Sequence, residues 1–421
     1  ADKADVLAIV DGVSEVLDAA RVTTWDVIDF MHADLDTINK GQDHDGDDMA
    51  VVIALKTRTE EKRLAVTLSG RAFQWLKENG ARQLYSKYCS TFDSTREGNI
   101  GPIIDHVLET HGYAYTIVAP ALPVNGRTVK DGHLLVHGVP LQHTHMKDHP
   151  LTPMWDSDLA ELLKPQGKYP SLKITHDMLE LAKEDILQIV RDFGKDHEHF
   201  YVIPDYCDER HASKIVEVFG DLPFMTGGSG LMGELGKKLR ALSAPSGMVE
   251  SGTEGKAIIL AGSCSVATLR QIETYGARSG KTIKIDPIRI ADGSQTKEQI
   301  WQQIEAAGEE SVLVYSSDKP ENVKFAQQSV DNAAHMLEQT MAWLARNAEK
   351  NGYTRIIVAG GETSGAVTQA LGYNAYLIGQ SIAPGVPIMV PLENRRMRLV
   401  LKSGNFGQED FFLRAIDITR G

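Results

Sequence analysis

The sequence predicts an α/β protein of two domains, each a mostly parallel sheet flanked by helices, and three observations carry that expectation. Short runs rich in Val and Ile recur, each followed by glycine or polar residues and then by a stretch of helical period, the rhythm of alternating strand and helix. Several runs are apolar at both parities, as strands covered on both faces must be. At 421 residues the chain is also long for a single core, and over 241–255 the apolar period gives way to Ser, Gly and Pro. The boundaries drawn from this are a first domain over 1–243, a linker over 244–255 and a second domain over 256–421.

In chain order, strands are expected at 6–11, 49–55, 83–88, 115–120, 200–204, 256–262, 311–316, 354–359 and 399–402. A helix is expected over 322–351, where Ala326, Val330, Ala333, Leu337, Met341 and Leu344 recur at three- and four-residue steps and form one core-facing stripe. No repeat, low-complexity tract or heptad run interrupts the pattern.

Composition narrows the function. A formal charge of −13 argues against a nucleic-acid or anionic-membrane partner, which needs a concentrated basic face. Three widely spaced cysteines, Cys89, Cys207 and Cys264, form neither a disulfide framework nor a zinc ribbon and suggest a reducing compartment. No apolar run reaches the length of a membrane span, and the chain opens without a basic leader, so it is expected to be cytoplasmic and unexported.

Two familiar motifs nearly match. Gly276, Gly280, Lys281 and Thr282 resemble a phosphate loop, but the glycines are one residue too close, and the segment runs from helix to strand instead of strand to helix. GSGLMG (228–233) satisfies the dinucleotide pattern and opens a helix, yet the acidic residue a dinucleotide site wants is missing from a second strand end. Its anion-binding half is kept, with Gly228 and Ser229 as candidates, and a tight packing turn is the alternative.

In the second half three glycine-rich segments each follow an expected strand: Gly262 to Ser265, Gly360 to Gly365, and Ser403 to Gly407. Loops of this kind converge beyond the carboxyl ends of strands, where bare backbone and small hydroxyls suit a triphosphate. For any one of them the alternative is a simple chain reversal. The first half has another vocabulary, with Lys56 and Arg58 after one strand, Lys87 to Thr95 after the next, then Asn99, Asn125 and Arg127. Cations and amides among hydroxyls suit a carboxylate flanked by alcohols. His143, His145 and His149 lack the companions of a closed metal site, and the acidic run 43–48 lacks the twelfth-position Glu of a calcium loop.

Taken in order, KYCSTFDST (87–95), GNIGP (98–102), PALPVNGRTV (120–129), TGGSGL (226–231), GSCS (262–265), VAGGETSGAVTQ (358–369), APGVP (383–387) and LKSGNFG (401–407) resemble the four-carbon acid sugar kinases, closest to their 3-oxo-tetronate branch. The resemblance implies a sugar-acid domain followed by a nucleotide domain, with the active site in the cleft between them. It implies ATP and Mg²⁺ as cofactors, a small sugar acid as the other partner, and transfer to the terminal hydroxyl of 3-oxo-tetronate.

Carried over by position, Ser263, Ser265, Gly361, Glu362, Thr363, Ser364, Gly404 and Asn405 would hold ATP. Lys56, Arg58, Lys87, Ser94, Asn99, Asn125, Arg127, Gly228 and Ser229 would hold the acid, with Asp11 and Asp93 as catalytic carboxylates. The chain departs from the family at A-D-D-x-T-G-A-x-D, where Asp11 and Asp18 keep their places but Gly12 replaces the second Asp and Glu15 the glycine. That departure leaves open a catalytically silent binding homologue, and the dinucleotide pattern leaves an NAD-dependent oxidoreductase as a third reading. The metal ligands and the oligomeric state, homo-oligomer included, stay open.

Overall fold

The computed structural model describes residues 7–10, 25–29 and 50–421, apart from short stretches at 56, 79, 149–151, 241–249, 280, 309, 319–321, 323–324, 326–329, 331, 374–375, 384 and 405. The chain divides into two compact units, 1–247 and 248–421.

The strands of the first unit are β1 (Leu7–Val10), β2 (Trp25–Asp29), β3 (Ala50–Ala54), β4 (Gln83–Lys87), β5 (Tyr115–Ala119), β6 (Arg127–Lys130), β7 (His133–Val136), β8 (Val139–Pro140), β9 (Ser171–Ile174), β10 (Phe200–Pro204) and β11 (Phe224–Gly227). Eight of them form one sheet in the order β2-β3-β1-β4-β11-β5-β10-β9, with every pairing parallel. The runs that are apolar at both parities explain this: all five residues of β10 are buried, which only a sheet covered on both faces permits. Helices Lys62–Glu78 and Ile100–His111 supply Phe73, Ile104 and Val107 to the core against Leu84, Val118 and Phe224. The remaining strands, β6 to β8, make a small antiparallel sheet. Its two hairpin turns carry paired left-handed residues, Asp131 and Gly132, then His137 and Gly138, the geometry of the tight turn that matches strand twist.

The second unit holds β12 (Lys256–Ala261), β13 (Thr282–Lys284), β14 (Ser311–Tyr315), β15 (Tyr353–Ala359), β16 (Tyr376–Ala383), β17 (Val386–Pro391) and β18 (Arg398–Lys402). The order is β13-β14-β12-β15-β18-β17-β16, parallel as far as β18 and antiparallel at β17 and β16. Ile259, Ile357 and Val400 on the central strands pack with Phe411 and Phe412 of helix Phe411–Thr419. Arg355 is fully buried, and its guanidinium donates to the carbonyls of Gly255 and Ile416, so segment 251–255 packs on this unit. Arg398 repeats the device on the carbonyls of Ser251 and Gly252.

The nine expected strands are all present, within a residue or so at each end. The expected long helix is not continuous: Ala333–Lys350 is helical, as are Asn322 and Phe325, and Asn332 between them sits in the left-handed region at φ 59°, which a right-handed helix does not contain. Helix Val266–Ser279 runs into β13, so Gly276 to Thr282 is a helix-to-strand turn and no phosphate loop. Among the described residues no helix is long and apolar enough to cross a membrane, and no group of three His, Cys, Asp or Glu is arranged to hold a metal. The acidic run 43–48 and His149 lie outside the described residues.

In both sheets the strand order reverses beside the first strand of the unit: β3 lies on one side of β1 and β4 on the other, β14 on one side of β12 and β15 on the other. In sheets of this kind ligand crevices form at such a point, at the carboxyl ends of the strands.

Candidate functional site

In the first unit the loops after β3 and β4 meet the start of helix Ile100–His111 and line a polar pocket with Arg58, Lys87, Asp93 and Asn99. Asn99, 5% exposed, builds its rim. Its Nδ2 donates to the carbonyls of Thr57 at 2.7 Å and Glu60 at 2.9 Å, which ties the loop after β3 to the helix. Those two acceptors fix the orientation of the amide. Asn99 Oδ1 is buried without a hydrogen-bond partner among the described residues and is left to accept from a ligand hydroxyl or a water. Asp93 is buried beside it: Oδ2 accepts from the Arg58 guanidinium at 3.1 Å and Oδ1 from the Thr91 hydroxyl at 2.5 Å.

Ser69 lines the same pocket and was not foreseen. Its hydroxyl, 1% exposed on helix Lys62–Glu78, also lacks a partner among the described residues. The signal was a lone polar residue on the buried stripe of Ala65, Ala72, Phe73 and Leu76.

The other expected acid-binding residues do not join this pocket. Ser94 donates to Gln166 Oε1 at 2.9 Å, which also receives the Gly101 N–H at 3.1 Å, an internal brace. Asn125 ends the turn Pro123–Asn125 and gives its carbonyl to the Arg127 guanidinium, at the root of the small antiparallel sheet. Gly228 and Ser229 follow β11, and here the glycines answer to packing. A Cβ on Gly228 would lie 2.3 Å from the Pro120 carbonyl oxygen and one on Gly230 2.5 Å from that of Ala121. The space these glycines leave is filled by the chain's own backbone, so the pyrophosphate approach of the dinucleotide reading does not hold. Lys56 and Asp11 lie outside the described residues.

In the second unit the loops after β12, β15 and β18 are brought together at the edges of three adjacent strands. Glycine is required for that approach. A Cβ on Gly262 would lie 2.1 Å from Thr363 Oγ1, and one on Gly404 2.2 Å from Ser263 Oγ. Gly360, at φ 129°, starts helix Gly361–Leu371 with no side-chain cap, so the first-turn N–H groups of Gly361, Glu362 and Thr363 have no partner within the helix. Such a terminus favours an anion. Ser364 Oγ is buried in the same turn without a partner among the described residues. Ser265 Oγ donates to the Gly404 carbonyl at 2.6 Å, locking the first loop to the third. Asn405 is outside the described residues.

Beside these loops lies a pocket of about 460 Å³. Gly262, Glu362 and Thr363 form one side of it, and Ile288, Leu337 and Met341 give it an apolar lining. The Lys284 ammonium pairs with Asp318 at 2.6 Å on its wall. The arrangement offers donors for phosphate together with an apolar wall for a flat ring.

One further residue escaped the sequence reading. Lys402 closes β18, where a lysine after an apolar run reads as solvated, yet it is 1% exposed. Burial pushes its ammonium down to about 8.

Known proteins share this plan. Residues 12–235 match a family described as a sugar-binding N-terminal domain, and residues 258–412 one described as a nucleotide-binding C-terminal domain. A 3-oxo-tetronate kinase of Haemophilus influenzae is 39% identical over 367 residues, covering 86% of this chain and 88% of that protein. Another from Burkholderia multivorans is 38% identical over 377 residues, covering 87% and 88%. Among solved structures, one from Haemophilus influenzae superposes with a TM-score of 0.80 at 35% identity over 98% of this chain and 99% of that one. One from Salmonella typhimurium LT2 gives 0.85 at 35% identity over 98% of each. The chain belongs to the four-carbon acid sugar kinase family, phosphotransferases that join a sugar-binding domain to a nucleotide-binding one.

Proposed function

We propose that this chain transfers the γ-phosphoryl group of ATP to the terminal (4-) hydroxyl of 3-oxo-tetronate, giving 3-oxo-tetronate 4-phosphate. The observation that carries the reading is the pocket of the second unit, whose donor-rich glycine end is continuous with an apolar end, as a nucleoside triphosphate requires. In this reading Ile288, Leu337 and Met341 take the base, while Ser263, Ser265, Gly361, Thr363, Ser364, Gly404 and Asn405 take the phosphates. Mg²⁺ bound with ATP would supply neutralisation of charge on the phosphate oxygens. Glu362 in the first turn of helix Gly361–Leu371 is the carboxylate that would hold it, since this ion binds through one or two carboxylates with phosphate and water.

On the acid side, Arg58 and Lys87 receive the substrate carboxylate, joined by Lys56. Asn99 Oδ1 accepts from a substrate hydroxyl. Asp93 orients the attacking hydroxyl. A carboxylate offers about four acceptor positions, and two on Asp93 remain after Thr91 and Arg58 are served. Asp11 is the second carboxylate of the scheme.

The test is ADP release across four-carbon acids with ATP and Mg²⁺, where turnover is expected first with 3-oxo-tetronate. A folded protein that binds these ligands in calorimetry yet turns none of them over would replace the kinase by a silent binding homologue. Gly12, at the place of the family's second aspartate, favours that second reading.

A further inference from the structure

We propose that Lys402 is a positioning residue of the nucleotide site, its buried ammonium tying the loop after β18 to the helix that begins just beyond the loop after β12. The proposal rests on the nucleotide-binding reading of the second unit. Lys402 Nζ donates to Thr268 Oγ1 at 3.0 Å, to the Ser403 carbonyl at 3.0 Å and to the Gly404 carbonyl at 2.9 Å. Thr268, fully buried on helix Val266–Ser279, donates to the same Gly404 carbonyl at 2.9 Å, and Ser265 Oγ does so at 2.6 Å. One carbonyl thus gathers three donors, from a loop, a helix and the end of β18. The loop it belongs to is the one whose Gly404 packs against Ser263.

All three ammonium protons are engaged, so Lys402 acts through the loop and not by contact with a phosphate. Nothing among the described residues pairs it as a charge. Its neighbours are the Thr268 hydroxyl, the two carbonyls and the Phe411 ring of helix Phe411–Thr419, 5.8 Å from Nζ, all of them neutral. Burying an unpaired ammonium is costly, and a packing role alone would be served by an uncharged side chain. A loop that receives an anion gains from a fixed cation at its base.

The test is the ATP dissociation constant by calorimetry from pH 6.5 to 9.5, for the parent and for Lys402→Met. The Met variant is expected to bind ATP about 10- to 100-fold more weakly at pH 7, the range for losing charged hydrogen bonds. The parent is expected to lose affinity on the alkaline side of about 8, and the variant to lack that limb. Binding within twofold at pH 7, or the same alkaline limb in both, overturns the proposal. A parent that binds no ATP at any pH removes the nucleotide reading itself, a distinguishable outcome. If the Met variant does not fold, Thr268→Val breaks the same tie from the other side, with about tenfold weaker ATP binding expected. An unweakened Thr268→Val with a flat parent profile refutes the tie.

Discussion

Asp93→Asn separates the two jobs the pocket geometry allows for this carboxylate. The substitution keeps size and leaves Oδ1 to accept from Thr91, but removes the charge that faces Arg58. The Arg58 side chain is 45% exposed, so solvent screens the pair and its loss should destabilise the fold by only about 1 kcal/mol. For a unit of this size that lowers the melting temperature by roughly 2–4 °C, leaving a folded enzyme whose kinetics can be read. If Asp93 orients the attacking hydroxyl, kcat falls by about 10²- to 10⁴-fold while KM for the acid changes by less than about tenfold. The assay is coupled ADP release with 3-oxo-tetronate, ATP and Mg²⁺, run beside Asp11→Asn. An unchanged kcat with a raised KM for the acid would refute the orienting role. It would assign Asp93 to holding Arg58 and leave Asp11 as the remaining carboxylate.

Two glycines give opposite expectations. Gly404→Ala places a Cβ 2.2 Å from Ser263 Oγ and 3.1 Å from Ser265 Oγ, so the loops must part; the expected cost is about 1–3 kcal/mol in urea unfolding, with a raised KM for ATP. Gly361→Ala meets nothing within 4 Å and should leave the melting temperature unchanged, so a raised KM for ATP in that variant marks the space as one the nucleotide fills, and an unchanged KM removes Gly361 from the site. Lys402 also sets a pH dependence of stability. The native ammonium releases its proton near 8 and an unfolded lysine near 10.5, so the unfolded chain binds more protons in that window and stability rises with pH by up to about 3 kcal/mol. Urea midpoints from pH 7 to 10.5 should show that rise in the parent and not in Lys402→Met.

The strands that sequence made legible are those buried on both faces, such as Ala257 to Ala261, because a continuous apolar run has few other homes. Some of those it missed carry a polar residue inward or are short, and β17, apolar and buried throughout, holds Pro387 and Pro391, which read against a strand. In β11, Thr226 is fully buried and donates to the Ile117 carbonyl, a satisfied polar group that interrupts the apolar signal. The hairpins of the small sheet, which sequence did not disclose, turn at Asp131-Gly132 and His137-Gly138, and only the first is a familiar turn pair. Within the site, Arg58, Lys87, Asp93 and Asn99 were readable because they follow strands in clusters. Ser69 and Lys402 were not, since a serine within a helix and a lysine at a strand end have common solvated roles. Their burial is set by tertiary packing that no local pattern encodes.

The two units solve one topological problem with different chemistry. Each places its polar loops beside the first strand of its sheet, where strand order reverses, yet one lines the crevice with side chains and the other with backbone. The difference follows from what each must recognise. A sugar acid differs from its stereoisomers in the direction of single hydroxyls, which only placed acceptors and donors such as Asn99 Oδ1 can tell apart. A triphosphate is the same in every cycle and asks for close approach and many donors, which bare glycine loops give. Substrate preference should therefore respond to changes in the loops after β3 and β4. The glycine loops of the second unit should instead govern ATP affinity for every acid alike.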